Sequence, residues 1–152
     1  MTLAGTNEAE FNEIIESKFG KILNGKRIWR DENYSVEISV DQTIETDDYN
    51  ILIEIDSGNY AKLIVGQYIL LNELLNSSNK KTVFIVVHFY NRNAKKTYNP
   101  ERTSRNLNLV NDKLLLNKGI PFLIFNYNTF IDFINPINSI SELNHKINDI
   151  LI

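Results

Sequence analysis

Cysteine is absent from the 152-residue chain, and so is any excess of positive charge. Without cysteine the protein can form neither a disulfide framework nor a thiolate nucleophile, so a reducing cytoplasm is its expected compartment. The formal net charge of −3 at pH 7 excludes a generally basic nucleic-acid coat, but it leaves room for a local basic patch.

Long apolar runs and several well-known motifs are also missing. No segment approaches the ~20 apolar residues of a membrane span, and the N-terminus lacks the basic and apolar regions of a signal peptide, so no membrane partner is expected. There is no Walker loop, Gly-x-Gly-x-x-Gly, zinc spacing or nucleophile elbow. A hydrophobic share of 43% without repeats or linkers predicts one compact domain over residues 1–152, with a flexible tail at 1–6.

Hydrophobic periodicity predicts helices that alternate with strands. Apolar residues at helical intervals, with capping residues at several starts, predict four helices. These helices cover about residues 8–23, 60–75, 100–118 and 139–152. Alternating or continuous apolar runs predict strands at about residues 34–44, 49–56, 81–90 and 120–127. The order α–β–β–α–β–α–β–α indicates an α/β fold with a mixed central sheet flanked by helices.

The first two predicted strands can pair as a hairpin around Asp47 and Asp48. In that register Ile44 faces Ile51, and the apolar faces of both strands coincide. A slip by one residue would move every side chain to the opposite face, so the pattern selects this register or one shifted by two.

The same register places Asp41 opposite Glu54 and Ser39 opposite Asp56. Like charges that face each other across strands repel by a few tenths of a kcal/mol to ~1 kcal/mol. A hard divalent cation such as Mg²⁺ would convert this repulsion into ligation, since Mg²⁺ favours one or two carboxylates with water and phosphate oxygens. The alternative is a solvated polar face that needs no ligand.

The arrangement resembles the PD-(D/E)XK nuclease superfamily over roughly residues 8–90. The segment "VDQTI" looks like the strand that bears the first metal-binding aspartate, here Asp41, and "IEID" looks like the Glu-x-Lys strand, with Glu54 as second acid. "AKLIVGQYILL" is similar to a helix whose glutamine, here Gln67, supports the site. Glu16 matches the acid that some branches place on the first helix. The resemblance implies a restriction-endonuclease-like core and Mg²⁺- or Mn²⁺-dependent hydrolysis of DNA.

One position departs from the motif of this superfamily. Asp56 stands where the motif has its lysine, and Lys62, in the first turn of the following helix, is the natural substitute. Lys62 is alternatively an ordinary surface lysine. The departure therefore leaves two hypotheses, a metal-dependent nuclease with Lys62 assisting, or an inactive nuclease-fold subunit or interaction module.

Basic residues follow the strand predicted over residues 81–90, opposed in that stretch only by Glu101. They are Arg92, Lys95, Lys96, Arg102 and Arg105. Interleaved with Tyr90 and Tyr98, they can hold a DNA phosphate backbone beside the acids, or they can be a solvated loop and helix start. DNA is accordingly the expected partner.

Two further features each carry an alternative. His88, in a buried strand, is expected to be a satisfied core histidine rather than a ligand or base. The apolar stripe of the last predicted helix, which includes Leu143 and Ile147, is expected to join the core, with a homodimer or partner-subunit interface as the alternative.

Overall fold

The computed structural model describes residues 5–151 of the chain. Its helices are α1 (Thr6–Phe19), α2 (Ala61–Leu74), α3 (Glu101–Lys113), α4 (Tyr127–Ile134) and α5 (Ile140–Leu151). Its strands are β1 (Arg27–Asp31), β2 (Val36–Val40), β3 (Gln42–Glu45), β4 (Tyr49–Asp56), β5 (Lys81–His88) and β6 (Phe122–Asn126). No helix within these residues combines the length and apolarity needed to cross a bilayer.

A mixed four-stranded sheet of order β3-β4-β5-β6 forms the centre of the fold. β3 and β4 are antiparallel, whereas β4, β5 and β6 run parallel. One face of the sheet packs against α1, α4 and α5, and the other face packs against α2 and α3. The predicted α/β class, with a mixed sheet flanked by helices, is confirmed.

Strand β4 is buried on both faces, which explains its nearly continuous apolar sequence. Ile51, Ile53 and Ile55 belong to the core on the α1 side of the sheet. Leu52 belongs to the core on the α2 side. Because side chains alternate along a strand, Glu54 shares the α2 side with Leu52, where it interrupts an otherwise apolar layer.

The strand predicted over residues 34–44 is broken into two strands. β2 ends at Val40 and pairs with β1, which the sequence did not predict, in a separate antiparallel hairpin. Val40 packs with Trp29 of β1 against α2, and this burial draws β2 away from the central sheet. The predicted pairing of Ser39 with Asp56 is therefore wrong, since Ser39 faces Ile28.

Beyond this break, the predicted hairpin register is confirmed. Ile44 faces Ile51, and the ladder between β3 and β4 begins at the pair Gln42–Ile53. This register buries Ile44 and Ile51 in the same core cluster. The observed register is the one predicted for a turn at Asp47 and Asp48, out of the two that the apolar alternation allowed.

Three predicted boundaries also change. α1 ends at Phe19 rather than near residue 23, because Gly20 adopts a φ of 78° and closes the helix. Thr6 already belongs to α1, and residues 1–4 of the predicted tail lie outside the described part, as does residue 152 at the end of the last predicted helix. α4 replaces the end of the predicted strand, because Asn126 caps it in a capping box with Thr129.

Helix α5 is anchored on the turn that joins β3 to β4. Leu143 and Ile147 are buried in the core, as predicted for its apolar stripe. Asn144 Oδ1 accepts a hydrogen bond of 2.6 Å from Thr46 Oγ1, and its Nδ2 donates to Asp48 Oδ2 at 2.8 Å. The stripe is thus used inside the protein.

Candidate functional site

The break between β2 and β3 positions Asp41 at a bend between two hairpins. The backbone N–H of Ile55 donates a hydrogen bond of 2.8 Å to Asp41 Oδ2, in place of a further ladder bond beyond the pair Gln42–Ile53. The aspartate is thereby turned onto the end of β4. Asp41 and Glu54 are neighbours, as the sequence predicted. The contact of the Asp41 side chain with the Ile55 N–H brings them together, and not a continuous strand.

Gln67 of α2 links Glu54 to the outer hairpin. Its Nε2 donates to Glu54 Oε2 at 2.8 Å and to the backbone oxygen of Ser39 at 2.9 Å. Gln67 therefore contacts one of the acids and also satisfies a backbone carbonyl. The Glu54 carboxylate is consequently held by a side chain that is itself fixed at two points.

Both acids have raised pKa values. Burial raises the pKa of Glu54 to about 8, and the negative charge of Asp41 adds to this effect. Burial likewise raises the pKa of Asp41 to about 6, although the Ile55 N–H acts in the opposite direction. Ionisation of both carboxyl groups is therefore unfavourable in the folded protein, and a bound cation would offset their negative charges.

Glu8, rather than Glu16, is the residue of α1 that reaches these acids. Through its charge and a side-chain hydrogen bond, Glu8 contributes to the raised pKa of Asp41, whose largest cause is burial. Glu16 is exposed and lies about 12 Å farther along the helix, at ~1.5 Å per residue. The sequence did not single out Glu8, because on a helical pattern it is one more polar residue of the first turn.

Replacing Glu8 by Gln is expected to lower the pKa of Asp41 and to weaken binding of Mg²⁺ about fivefold, since a surface charge near an ion contributes ~1 kcal/mol. Glu16→Gln is the matched control and should change neither quantity. The checks are an NMR titration of the Asp41 carboxyl carbon and calorimetric Mg²⁺ binding. Equal effects of both variants would contradict the assignment of Glu8.

Asp56 does not join the acid pair. It is 6% exposed, and its Oδ2 lies 2.7 Å from Nδ1 of His88, the residue that faces it on β5. The other ring nitrogen of His88 lies 2.9 Å from Thr103 Oγ1, which contacts the Tyr98 hydroxyl at 2.9 Å. The predicted convergence of Asp56 with the hairpin acids is therefore corrected, and its charge is only the smallest contribution to the raised pKa of Glu54, which burial dominates.

The prediction that His88 is a satisfied core histidine is confirmed. His88 and Thr103 are both fully buried, and the imidazole stacks on the Tyr98 ring with centroids 4.2 Å apart. Although the sequence of carboxylate, imidazole and hydroxyl is one that nucleophilic enzymes use, no substrate reaches a hydroxyl without solvent exposure. The chain of polar contacts ties α3 to the sheet.

Two lysines lie nearest in sequence to the acids, and the charge of one of them acts on Asp41. Lys62 is in the first turn of α2 with an exposed side chain, and it forms no ion pair within residues 5–151. Lys26, in the segment before β1, is the cation whose charge lowers the pKa of Asp41 against the larger effect of burial.

The predicted DNA-binding arginines are largely engaged in contacts with the protein itself. Arg92 forms an ion pair with Glu10, and its guanidinium lies over the rings of Phe89 and Tyr127 at 5.4 and 5.1 Å. This aromatic and ionic packing holds the loop after β5 against α1.

The other four basic residues are closer to solvent. Arg105 pairs with Glu101 at 2.9 Å on an exposed face, and Arg102 lies 5.7 Å from the Tyr98 ring. Lys95 and Lys96 are exposed and have no ion-pair partner in the described part of the chain. The two lysines are therefore the members of the set that are available to a phosphate backbone.

The loop after β5, which contains Arg92, Lys95 and Lys96, borders the end of α1 that carries Glu8. A polar cavity of about 300 Å³ is lined by Asn7, Ser57 and residues 89–94. The Asn7 Nδ2 donates to Ser57 Oγ at 2.9 Å, which closes one side of this cavity against the end of β4. The acids and the loop thus lie at the same edge of the sheet, beyond the carboxyl ends of β4 and β5, where open α/β sheets usually bind ligands.

The donor set fits a hydrated divalent cation. Asp41 and Glu54 supply oxygen ligands, and Gln67 Oε1 is buried without a hydrogen-bond partner among residues 5–151, so it can accept a hydrogen bond from a water. Three or more acids or histidines do not converge closely enough in these residues to enclose a metal by themselves. One or two carboxylates completed by water and phosphate oxygens suit Mg²⁺ or Mn²⁺.

Comparison with models of known protein families, with curated proteins and with solved structures gives no match. The resemblance to PD-(D/E)XK nucleases therefore depends on Asp41, Glu54 and Gln67 themselves. Its weakest position is Asp56, which has an acid where the motif has a lysine.

Proposed function

We propose that the protein is a metal-dependent nuclease that hydrolyses phosphodiester bonds of DNA. The observation that carries the proposal is the pair Asp41–Glu54, two partly buried carboxylates with raised pKa values, burial being the larger cause for both. Isolated charges are seldom placed this way, because each loses hydration and repels the other. Binding of a cation and a substrate would offset that cost, so functional sites are where such pairs are concentrated.

The element order supports a restriction-endonuclease-like core within the broader α/β class. From α1 to β5 the chain has one strand more than the α–β–β–β–α–β order of that superfamily. The additional strand arises where the chain breaks at Asp41. Glu54 lies on a strand and Gln67 on the following helix, in keeping with the resemblance, whereas Asp41 lies at the break between β2 and β3.

Each residue of the site has a distinct task in the proposed reaction. Asp41 and Glu54 would hold Mg²⁺ or Mn²⁺, with Glu8 beside Asp41, while Gln67 fixes the Glu54 carboxylate through its bond of 2.8 Å. A bound cation of this type supplies Lewis-acid stabilisation and lowers the pKa of water. In the hydrolysis, the water oxygen joins phosphorus and the sugar oxygen leaves with the bonding electron pair and takes up a proton.

Positive side chains would bind the DNA backbone around the scissile bond. Lys62 is the cation that the resemblance assigns to the reacting phosphate, and Lys95 and Lys96 are the free cations of the neighbouring loop. Such contacts make affinity fall with salt, because bound counterions are released from the DNA.

The proposal is tested with purified protein on supercoiled plasmid and branched DNA in Mg²⁺, Mn²⁺ or EDTA. Cleavage is expected with either metal and not in EDTA, and Asp41→Asn should be inactive yet folded, because an amide oxygen still accepts the bond from Ile55. Both metals should raise the melting temperature of the wild type. Absence of cleavage together with an unchanged melting temperature would refute the nuclease.

A second candidate is an inactive nuclease-fold subunit that binds DNA or a partner protein. The observation that favours it is the burial of Asp56 against His88. The residue at the motif's lysine position therefore does not contact Asp41 or Glu54. Binding of DNA by the wild type, with no cleavage in either metal, would select this alternative over the enzyme.

A further inference from the structure

The outer hairpin brings a second lysine opposite Asp41. The last pair of its ladder is Arg27–Val40. One step farther along the same antiparallel register, Lys26 stands across from Asp41. Asp41 therefore lies where two registers meet, with Lys26 across one hairpin and Glu54 across the other.

Contacts beyond the last ladder pair continue this register. The backbone N–H of Asn24 donates to the oxygen of Thr43 at 2.9 Å. The N–H of Gly25 donates to Gln42 Oε1 at 2.9 Å. These bonds hold the two residues that precede Lys26 along the start of β3, so Lys26 is fixed on both sides and does not belong to a free loop.

Residues that face each other in an antiparallel pair project to the same side, with Cβ atoms about 4.5–5.5 Å apart. Continued by one pair beyond Arg27–Val40, this rule predicts that the Lys26 side chain is directed to the side on which Asp41 meets Glu54. In agreement, its charge lowers the pKa of Asp41, although burial has the larger and opposite effect. Lys26 itself is exposed and has no ion-pair or hydrogen-bond partner in the described part of the chain.

We infer that Lys26 is a catalytic residue of the proposed nuclease and that its ammonium binds a non-bridging oxygen of the scissile phosphodiester beside Asp41 and Glu54. This inference rests on the proposed function. It places the cation that binds this oxygen on the segment before β1, and not at the position of Asp56 or on α2.

The inference predicts that Lys26→Met slows cleavage and reduces the salt dependence of DNA binding, but makes Mn²⁺ binding tighter. The methionine keeps the length of the side chain but not its charge. Loss of the ammonium should slow single-turnover plasmid cleavage about 100-fold, as expected when one charge-stabilising donor is removed. It should also reduce the slope of log affinity against log salt by ~1 for a duplex oligonucleotide in EDTA. Binding of Mn²⁺ should become about fivefold tighter, because a nearby positive charge is gone.

Lys146→Met is the matched control and should stay within twofold of the wild type in all three measurements. Lys146 is exposed on α5, near Asn144, which contacts the β3–β4 turn at the end of β4 opposite Glu54. Lys26→Arg keeps the charge and should restore the salt slope and part of the cleavage rate. Because Lys26 and Lys146 are both exposed, all three variants should melt like the wild type. A general loss of structure would instead weaken DNA and Mn²⁺ binding together.

The outcomes separate this inference from the proposed function. If the wild type cleaves, Asp41→Asn does not, and Lys26→Met retains full rate and salt slope, then Lys26 is a bystander and the nuclease stands. Loss of cleavage in Lys62→Met alone would reassign the cation to α2. If the wild type neither cleaves nor binds DNA, both the function and the role of Lys26 are refuted.

Discussion

Replacing Glu54 by Gln is expected to abolish cleavage while making the metal-free protein more stable. Glu54 has a pKa of about 8 in the folded protein, chiefly because it is buried, against a usual value of 4.5. Between these values the folded state binds more protons than the unfolded state. The free energy of unfolding of the wild type should therefore fall as the pH rises from about 4.5 towards 8.

The glutamine is uncharged at every pH and still accepts the hydrogen bond from Gln67. Glu54→Gln should consequently remove the part of this pH dependence that is due to Glu54 and leave the part due to Asp41. It should gain on the order of 3 kcal/mol at pH 8, with little change near pH 4.5. Cleavage should fall by roughly 10³-fold or more, which corresponds to ~4 kcal/mol of transition-state stabilisation. The gain in stability together with the loss of activity separates a functional acid from a structural one.

Urea unfolding of both proteins in EDTA, measured across this pH range, checks the first effect. In Mg²⁺, the same titrations should give a higher free energy of unfolding for the wild type and an unchanged one for Glu54→Gln. Glu73, an exposed acid on α2, provides the matched control, and Glu73→Gln should behave like the wild type throughout. A variant that is less stable at both ends of the range would show that the Glu54 carboxylate is structural.

His88→Ala is expected to lower the free energy of unfolding by about 3–5 kcal/mol, because it leaves buried polar groups without a hydrogen-bond partner and opens a cavity where the imidazole packs. The substitution leaves Asp56 buried without its 2.7 Å partner, and it also removes the contact of 2.9 Å to Thr103. The loss of stacking on Tyr98 adds to this cost.

Chemical denaturation at pH 7 provides the measurement, with His145→Ala as control. His145 is the other histidine of the chain and is exposed, so its replacement should change stability by less than ~0.5 kcal/mol. Thr103→Val should show a smaller loss of ~1 kcal/mol, since only the hydroxyl is removed. A cost below 1 kcal/mol for His88→Ala would mean that the buried contacts do not hold α3 to the sheet.

Local patterning was sufficient for a large part of the fold. The alternation around Ile44 and Ile51 limited the hairpin to the observed register or one shifted by two, because a strand with a buried face tolerates no slip of one residue. The helix that contains Gln67 was predictable from its apolar pattern. Strand β1 was missed, since five residues that mix two arginines and an aspartate with Ile28 and Trp29 carry little periodic signal.

The sequence and the tertiary structure each determined a different part of the site. By itself the sequence determined that Asp41 and Glu54 lie together, because side-chain alternation and turn length restrict the pairing of β3 with β4. Only the tertiary structure decided the partners around them. It turned β2 away to pair with β1, which brought the segment that contains Lys26 alongside the break at Asp41, and it placed Asp56 against His88. These contacts join segments distant along the chain, and periodicity reports only whether a residue is buried, not which distant residue it meets.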